Sequence, residues 1–499
     1  MESKLEKYTP LIRTALQRAK DNDVYAIVRM QDIMYRGVNI LDGKTKAKSE
    51  SITRGMGISV FTKEGVSGFS STNILNAKNI RRAVDMAANL AKTSSKYKNV
   101  EQNKEIFYTE PLIERVMQET NYNITSYSSD YIEEFVKKIN IQTQKLDDRL
   151  RVSTSYYARE EEWRIARSDS TDAIFNMPNS RIFSRMTLKE NGRISEAYFS
   201  VQGKDYGVIL DDKLSEIYSK KAAYTINILS KLLYAGSMKR GHYKHLLSHG
   251  FAGLKAHEAA GHLFETDYLK SSIMGINGKL RKGKKIAPSN ISFIDEPIAG
   301  IYGNQFISAN GIKRKRIEFI KNGVINDGLA DIFSAKETNT NINGCGRAQT
   351  YNCLPTCRMS TTSMVDNDPY PFEKEFEDTT IDDIYELLVK HDELKPGETV
   401  AYPVIDMGGQ MNSIADTYVL NCAGIYILEN PKKITLHNQS ISRGDPIATL
   451  ATRIKGIGKV VIQESGLCEK SGQKVANSYG GNMFFIIDKT KGVTFGGEK

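Results

Sequence analysis

His257-Glu258-Ala259-Ala260-Gly261-His262 places two imidazoles and a carboxylate within one short stretch, the donor types of a hydrolytic zinc site. In the usual zinc-peptidase helix the histidines lie four apart, about 40° around the axis, so both nitrogens meet one ion. Here they lie five apart. On a regular helix that spacing turns the rings about 140° from one another, so sharing a metal requires the turn to be stretched, kinked or ended. Gly261, just before the second histidine, is the residue expected to permit it. With 7 histidines in 499 residues, roughly 0.1 pairs at any fixed spacing arise by chance, and roughly 0.01 with a glutamate after the first. The bland alternative is a capped helix whose histidines are packed or solvated.

Outward from this segment, Tyr243 to Ser248 reads as a strand feeding a helix from about Phe251. His242, His245 and His249 do not share one face of that strand, so no second metal site is expected. Downstream, Lys321-Asn-Gly-Val324 and Glu429-Asn-Pro-Lys432 signal hairpins, one helix is expected near Thr380 to His391, and the C-terminus is Gly-rich. Upstream, a first helix is capped by Thr9 with Pro10 in its first turn, and Asn76 opens a second. Short strands are expected at Tyr25–Met30, Arg36–Leu41, Gly57–Thr62 and Gly65–Ser70, the last two joined at Lys63-Glu64. After a helix around Asp130 to Ile139, the segments from Arg151 to Gly203 read as an antiparallel meander. Its Tyr156, Tyr157, Trp163, Phe183 and Tyr198 mark a sheet with one wet face, either structural or lining a groove. A long helix from about Asp211 to Leu233 follows. The expected class is α+β in three parts: an N-terminal α/β-type unit over 1–110, a central antiparallel sheet with its connecting helix over 111–235, and a β-dominated metal-bearing domain over 236–499 with a bent HExxxH helix.

With 40% hydrophobic and 26% charged residues the composition is that of an ordinary globular protein. No apolar run approaches the ~18 residues that span a bilayer and the start lacks a signal-peptide stretch, so a cytoplasmic location without membrane contact is expected. The five cysteines are scattered and odd in number, so thiols are expected. The net charge of +10 collects in Lys279–Lys285 and Lys313–Arg316. Neither run carries stacking aromatics, so solvated surface is expected ahead of attraction for acidic peptides, with nucleic acid a minor option.

Two histidines leave a catalytic zinc short of a third protein ligand, a cysteine or a carboxylate. Cys468 lies in the small-residue segment Glu464-Ser-Gly-Leu-Cys-Glu-Lys-Ser-Gly-Gln473, read as a loop that lets the backbone approach a metal. Cys422 sits in an apolar β-rich run and is expected to be buried; Cys353 and Cys357 have no second pair to complete a structural zinc site.

Several segments, in order along the chain, resemble the TldD/PmbA family of metallopeptidases, its TldD branch more closely. They are Arg54-Gly-Met-Gly-Ile-Ser-Val60 with Gly68-Phe-Ser-Ser-Thr72-Asn73, the HEAAGH helix with Glu265 and Asp267, Arg358-Met-Ser-Thr-Thr362, Gly408-Gly409-Gln410, and the Cys468 segment with Lys470 and Gln473. The resemblance implies one Zn2+ per chain held by His257, His262 and Cys468, with Glu258 as the catalytic carboxylate. A thiolate ligand makes such a zinc a milder Lewis acid than a three-histidine site does. Glu265 or Asp267 is expected either to orient a histidine or to form a surface salt bridge. The family's substrates are short or unfolded peptides, leader peptides of ribosomally made natural products among them, held extended along a strand edge within a dimer of identical or related subunits. Arg358, Thr362 and Gln410 are the expected groove residues, a loop-stabilising hydrogen bond being the alternative for each. Met407 stands where the family commonly has the first of three glycines before that glutamine. A non-catalytic peptide-binding partner subunit is the alternative, and the intact Glu258 and Cys468 argue against it.

Overall fold

The computed structural model describes residues 3–97, 99–203, 206, 211–412 and 416–497. Two large sheets organise the chain. The first contains β1 (Tyr25–Leu41), β2 (Lys44–Phe61), β3 (Ser67–Thr72), β4 (Ile113–Val116), β5 (Leu150–Arg167), β6 (Asp172–Asn176), β7 (Asn179–Glu190) and β8 (Arg193–Gly203). Its order is β3-β2-β1-β5-β6-β4, with β7 and β8 joined to the other half of β5. All pairs are antiparallel except β4 with β6. Strands from both sides of residue 110 thus belong to one sheet. The two short strands expected over Tyr25–Met30 and Arg36–Leu41 are one strand of 17 residues, because the polar stretch between them is paired on both edges, with β2 and β5.

Helices α1 (Thr9–Asp21) and α2 (Ala77–Ser94) cover one face of β1 and β2 through Ile12, Ala15, Ile80, Val84 and Ala87. Asn76 caps α2 by accepting from the Asn79 N–H. Thr9 does not cap α1: a 3-10 turn precedes the helix, and the Thr9 hydroxyl donates back to the Glu6 carbonyl. Helices α3 (Ser129–Gln144) and α4 (Asp212–Leu232) pack with β5, β7 and β8 in a core that runs on into Val400, Tyr402, Phe484 and Ile486 of the second sheet.

That second sheet has eleven strands: β9 (Lys244–Ser248), β10 (Ile291–Asp295), β11 (Ile317–Lys321), β12 (Val324–Ile325), β13 (Thr361–Asp366), β14 (Thr399–Asn412), β15 (Thr417–Glu429), β16 (Lys433–Gly444), β17 (Ile454–Lys470), β18 (Gln473–Ile487) and β19 (Val493–Phe495). The order is β12-β11-β10-β13-β18-β9-β14-β15-β16-β19, with β17 paired to β18. Asn322 (φ 48°) and Gly323 (φ 78°) form the expected β11–β12 turn, and a Cβ on Gly323 would lie 2.1 Å from the Ala287 carbonyl oxygen. Helix α5 (His249–Lys255) lies against β18 so closely that a Cβ on Gly253 would sit 2.2 Å from the Gly480 nitrogen. Backbone opposing backbone cannot give way, so Gly253→Ala is expected to cost about 3 kcal/mol, read as a lower denaturation midpoint.

Helix α6 (Ile381–Lys390) leads to Glu393, which is buried and pairs with Lys244 (2.9 Å) and with Arg453. Burial alone raises its pKa, yet Arg453 and Lys244 hold it at about 2. Because the folded value lies below the ordinary 4.5, this stabilisation is complete above about pH 4.5 and is lost as pH falls toward 2. Glu393→Gln is expected to remove about 2 kcal/mol at pH 7, allowing for screening at half-exposed Arg453, and to flatten stability against pH across that window in urea titrations.

The second basic run is largely neutralised in place, and of the first run Lys282 is paired. Lys313 pairs with Glu114 (2.6 Å), Arg316 with Glu318 (2.6 Å) and Lys282 with Asp327 (3.0 Å), while Arg314 is buried against Asp295. Among the described residues no helix is long and apolar enough to cross a membrane.

Candidate metal centre

Helix α5 does not continue as a regular helix. It passes into a π-helical turn over Ala256–Ala260 and then a 3-10 turn over Gly261–Phe264. The Gly261 N–H reaches the Ala256 carbonyl, five residues back, and Ala260 leaves helical geometry at φ −125°, ψ −62°. A π turn brings residue i+5 over residue i, the spacing of the two histidines, and their ring centroids lie 4.8 Å apart. Gly261 acts otherwise than the sequence implies. Its dihedrals are helical (φ −50°, ψ −51°), and what it supplies is room: a Cβ there would meet Met359 Sδ at 1.9 Å.

Cys468 reaches this turn from β17. The segment read as a loop is a hairpin, since Ser471 (φ 52°) and Gly472 (φ 71°) form a two-residue turn that continues β17 into β18. A donor atom from each of His257, His262 and Cys468 lies within 4.8 Å of the others, and Cys468 Sγ is 3.7 Å from His262 Nε2. Nitrogen and sulfur on one tetrahedral zinc stand about 3.5 Å apart, so the Cys468–His262 pair is already near that spacing. Cys422, by contrast, is buried and donates to the Ser440 carbonyl.

The electrostatics favour a cation here. Burial pushes the Cys468 thiol up, but the imidazoles of His262 and His257 outweigh it and hold its pKa well below the ordinary range, as a thiolate ligand requires. Burial disfavours charge on His262, yet Glu265 and Cys468 hold its pKa well above the ordinary value. The His262 Nδ1 lies 3.0 Å from Glu265 Oε2, which leaves Nε2 directed to the cluster side with Cys468. Glu265 is kept down at about 2 against its burial by Lys470 and His262. Asp267 touches neither histidine; it accepts from Lys470 Nζ (2.7 Å) and the Cys357 N–H (3.0 Å).

His257 is steadied by Asn477, whose amide nitrogen is 3.3 Å from Nδ1 while its Oδ1 is buried without a partner. The two amide orientations are nearly isosteric, and the one with Oδ1 on the ring accepts Nδ1–H and frees Nε2 for a metal. Glu258 stands outside the donor set, with Oε2 3.9 Å from His262 Nε2. Opposite, β14 is strained: Ile405 adopts φ 54° and Gly408 φ 80°, and the pairing with β15 slips between Asp406 and Gly409. This bulge holds Asp406 under the Tyr479 hydroxyl, which donates to it at 3.1 Å. Burial pushes Asp406 up to about 7, against the lowering effect of the Gly408 N–H and Tyr479.

The expected groove residues are not brought together. Arg358 is fully buried and braces the Cys468 hairpin from inside, donating to the carbonyls of Cys468 and Gln473. Thr362 is equally buried and donates to Asp295 (3.1 Å). Their burial leaves neither a surface for substrate. Gln410 alone is exposed, on β14. Lys470 was visible only as a residue of the resemblance, and Asn477, Tyr479 and Asp406 carried no local sequence signal.

A model described as the PmbA/TldA metallopeptidase C-terminal domain matches residues 240–469, the segment holding all three donors, and one described as PmbA/TldA metallopeptidase domain 1 matches residues 26–91. The chain belongs to the PmbA/TldA (TldD/PmbA) metallopeptidase family. Similar relatives within it include a metalloprotease of Methanocaldococcus jannaschii, 25% identical over 93% of this chain and 96% of that protein. A zinc metalloprotease TldD homolog of Saccharolobus solfataricus is 24% identical over 92% and 94%. Among solved structures, TldE from Thermococcus kodakarensis superposes with a TM-score of 0.70 at 13% identity, covering 97% of this chain and all of that one. A Thermotoga maritima protein described as a modulator of a DNA gyrase also gives 0.70, at 15% identity over 96% and 100%. At these identities the two structures establish a shared fold for this PmbA/TldA chain.

Proposed function

We propose that the chain is a zinc-dependent peptidase hydrolysing bonds in short or unfolded peptides, leader peptides of natural products among them. The observation that carries this reading is the convergence of His257, His262 and Cys468 with Glu258 beside but outside them. The names of the metalloprotease relatives support it. Bound by these three donors, zinc supplies a Lewis acid that polarises a scissile carbonyl and acidifies water. Glu258 takes the proton of the attacking water and returns it to the leaving amine. Glu265 and Asn477 hold the two imidazoles, and Arg358 and Lys470 hold the strand that carries Cys468.

Residues 236–499 form the metal-bearing domain in this reading, with 1–110 and 111–235 contributing the first sheet and its helices. The peptide lies extended along the edge of β17 beyond Gly458, a strand that pairs with β18 on its other side and is bridged by Tyr370 only at Ile457 among the described residues. The working unit is a dimer, of two copies or with a related subunit, and the likeness to TldE accords with the second. A non-catalytic partner role is disfavoured by the complete donor set. The test is cleavage of an unstructured peptide by purified protein before and after chelation. Activity should vanish with the metal and return with zinc; cleavage by metal-free protein contradicts the proposal.

A further inference from the structure

Beside the metal centre lies a cavity of about 160 Å³ between the two sheets. Its wall includes Tyr479, whose ring is 6.3 Å from that of His257, and Glu464 and Ser465 of the β17 edge. Two cations reach it, Lys221 from α4 and Arg181 from β7. Lys221 is satisfied by Glu464 at 2.8 Å. Arg181 is not. Its Nη1 donates to the Tyr157 hydroxyl (3.2 Å), its Nη2 to Ser200 Oγ (3.0 Å), and its plane lies 5.3 Å from the Phe183 ring centroid. Its Nε is buried without a partner, and among the described residues no carboxylate forms an ion pair with Arg181. The remaining carboxylate on the wall, Asp406, is engaged by the Tyr479 hydroxyl and the Gly408 N–H.

A half-buried guanidinium whose Nε is buried without a partner and whose other contacts are all neutral is poorly compensated, and such groups ordinarily meet an anion. Its planar fork of N–H donors matches a carboxylate in two parallel hydrogen bonds, and here that fork is only partly used. A peptide laid along the β17 edge runs past the mouth of this cavity. We propose that Arg181 receives a carboxylate of the bound peptide in the cavity beside the metal centre, an assignment that rests on the peptidase reading above. The carboxylate belongs either to the peptide's C-terminus or to an aspartate or glutamate side chain. The two sources share one recognition chemistry and differ in where they place the scissile bond.

The test is direct binding, followed by fluorescence anisotropy on the zinc-loaded full chain carrying Glu258→Gln so that the probe survives. Three labelled Ala/Ser octapeptides serve as probes: one with a free C-terminal carboxylate, one amidated and neutral, and one amidated with a single internal glutamate. Adding Arg181→Gln is expected to weaken binding of at least one acidic peptide by about tenfold while leaving the neutral amide unchanged, and the acidic peptide affected identifies the source. Arg181→Lys, which keeps the charge but not the fork, should recover part of the loss, and an unchanged circular-dichroism spectrum excludes misfolding. If the neutral amide binds as tightly as both acids and Arg181→Gln alters none of them, the assignment is overturned and the peptidase reading stands. If no peptide binds even before Arg181 is changed, both fall.

Discussion

Glu258→Gln is expected to lower peptide turnover by about three orders of magnitude or more while the protein keeps its zinc. The substitution preserves volume and hydrogen-bonding reach but removes the ability to accept a proton. Because Glu258 is not among the three converging donors, metal content should stay at the wild-type level. Its Oε2 lies 3.9 Å from His262 Nε2, on the side of the ring that faces the cluster, whereas Glu265 is committed to His262 Nδ1 and to Lys470. Asp406 is the nearest rival in charge state, but it is committed to Tyr479 and the Gly408 N–H. Single-turnover cleavage of an unstructured peptide, with zinc measured on the same samples, checks this. Turnover within tenfold of wild type at equal zinc would remove Glu258 from the mechanism.

Cys468→Ser should have the opposite signature, losing metal first and activity as a consequence. A serine hydroxyl is not ionised under conditions where the Cys468 thiol, between two imidazoles, is. Zinc affinity is expected to fall at least about hundredfold, and added zinc should no longer raise the thermal midpoint as it does for the wild type. Fold is not at stake, since the backbone of Cys468 is held by β18 and by Arg358 whatever its side chain. Equal zinc affinity in the two proteins would exclude Cys468 as a ligand.

What could be read from the sequence divides along physical lines. The histidine spacing demanded a departure from α geometry, and the chain makes one through a π turn followed by a 3-10 turn, which sets the rings of His257 and His262 edge to face. The same reasoning misjudged Gly261, because a glycine needed for close packing against Met359 looks identical, in sequence, to one needed for an unusual φ. Helices with strong caps and periodicity, such as α2 behind Asn76, were legible locally. The length of β1 was not, since its polar middle is stabilised by two neighbours over 100 residues apart from each other along the chain. Residues that act through strand register were likewise hidden. Asn477 and Tyr479 alternate along β18 with no local motif, and only the pairing of β17, β18 and β13 brings them to the metal cluster. Arg358 and Thr362 show the reverse case, motif residues whose side chains make the internal hydrogen bonds that were the alternative to a groove.

The central claim is that His257, His262 and Cys468 share one zinc. Zinc-edge X-ray absorption on the purified wild-type protein tests it most directly. The expected shell has one sulfur at about 2.3 Å and two imidazole nitrogens at about 2.0 Å, the sulfur contribution disappearing in Cys468→Ser reloaded with excess zinc. A shell of nitrogen and oxygen alone in the wild type would contradict it.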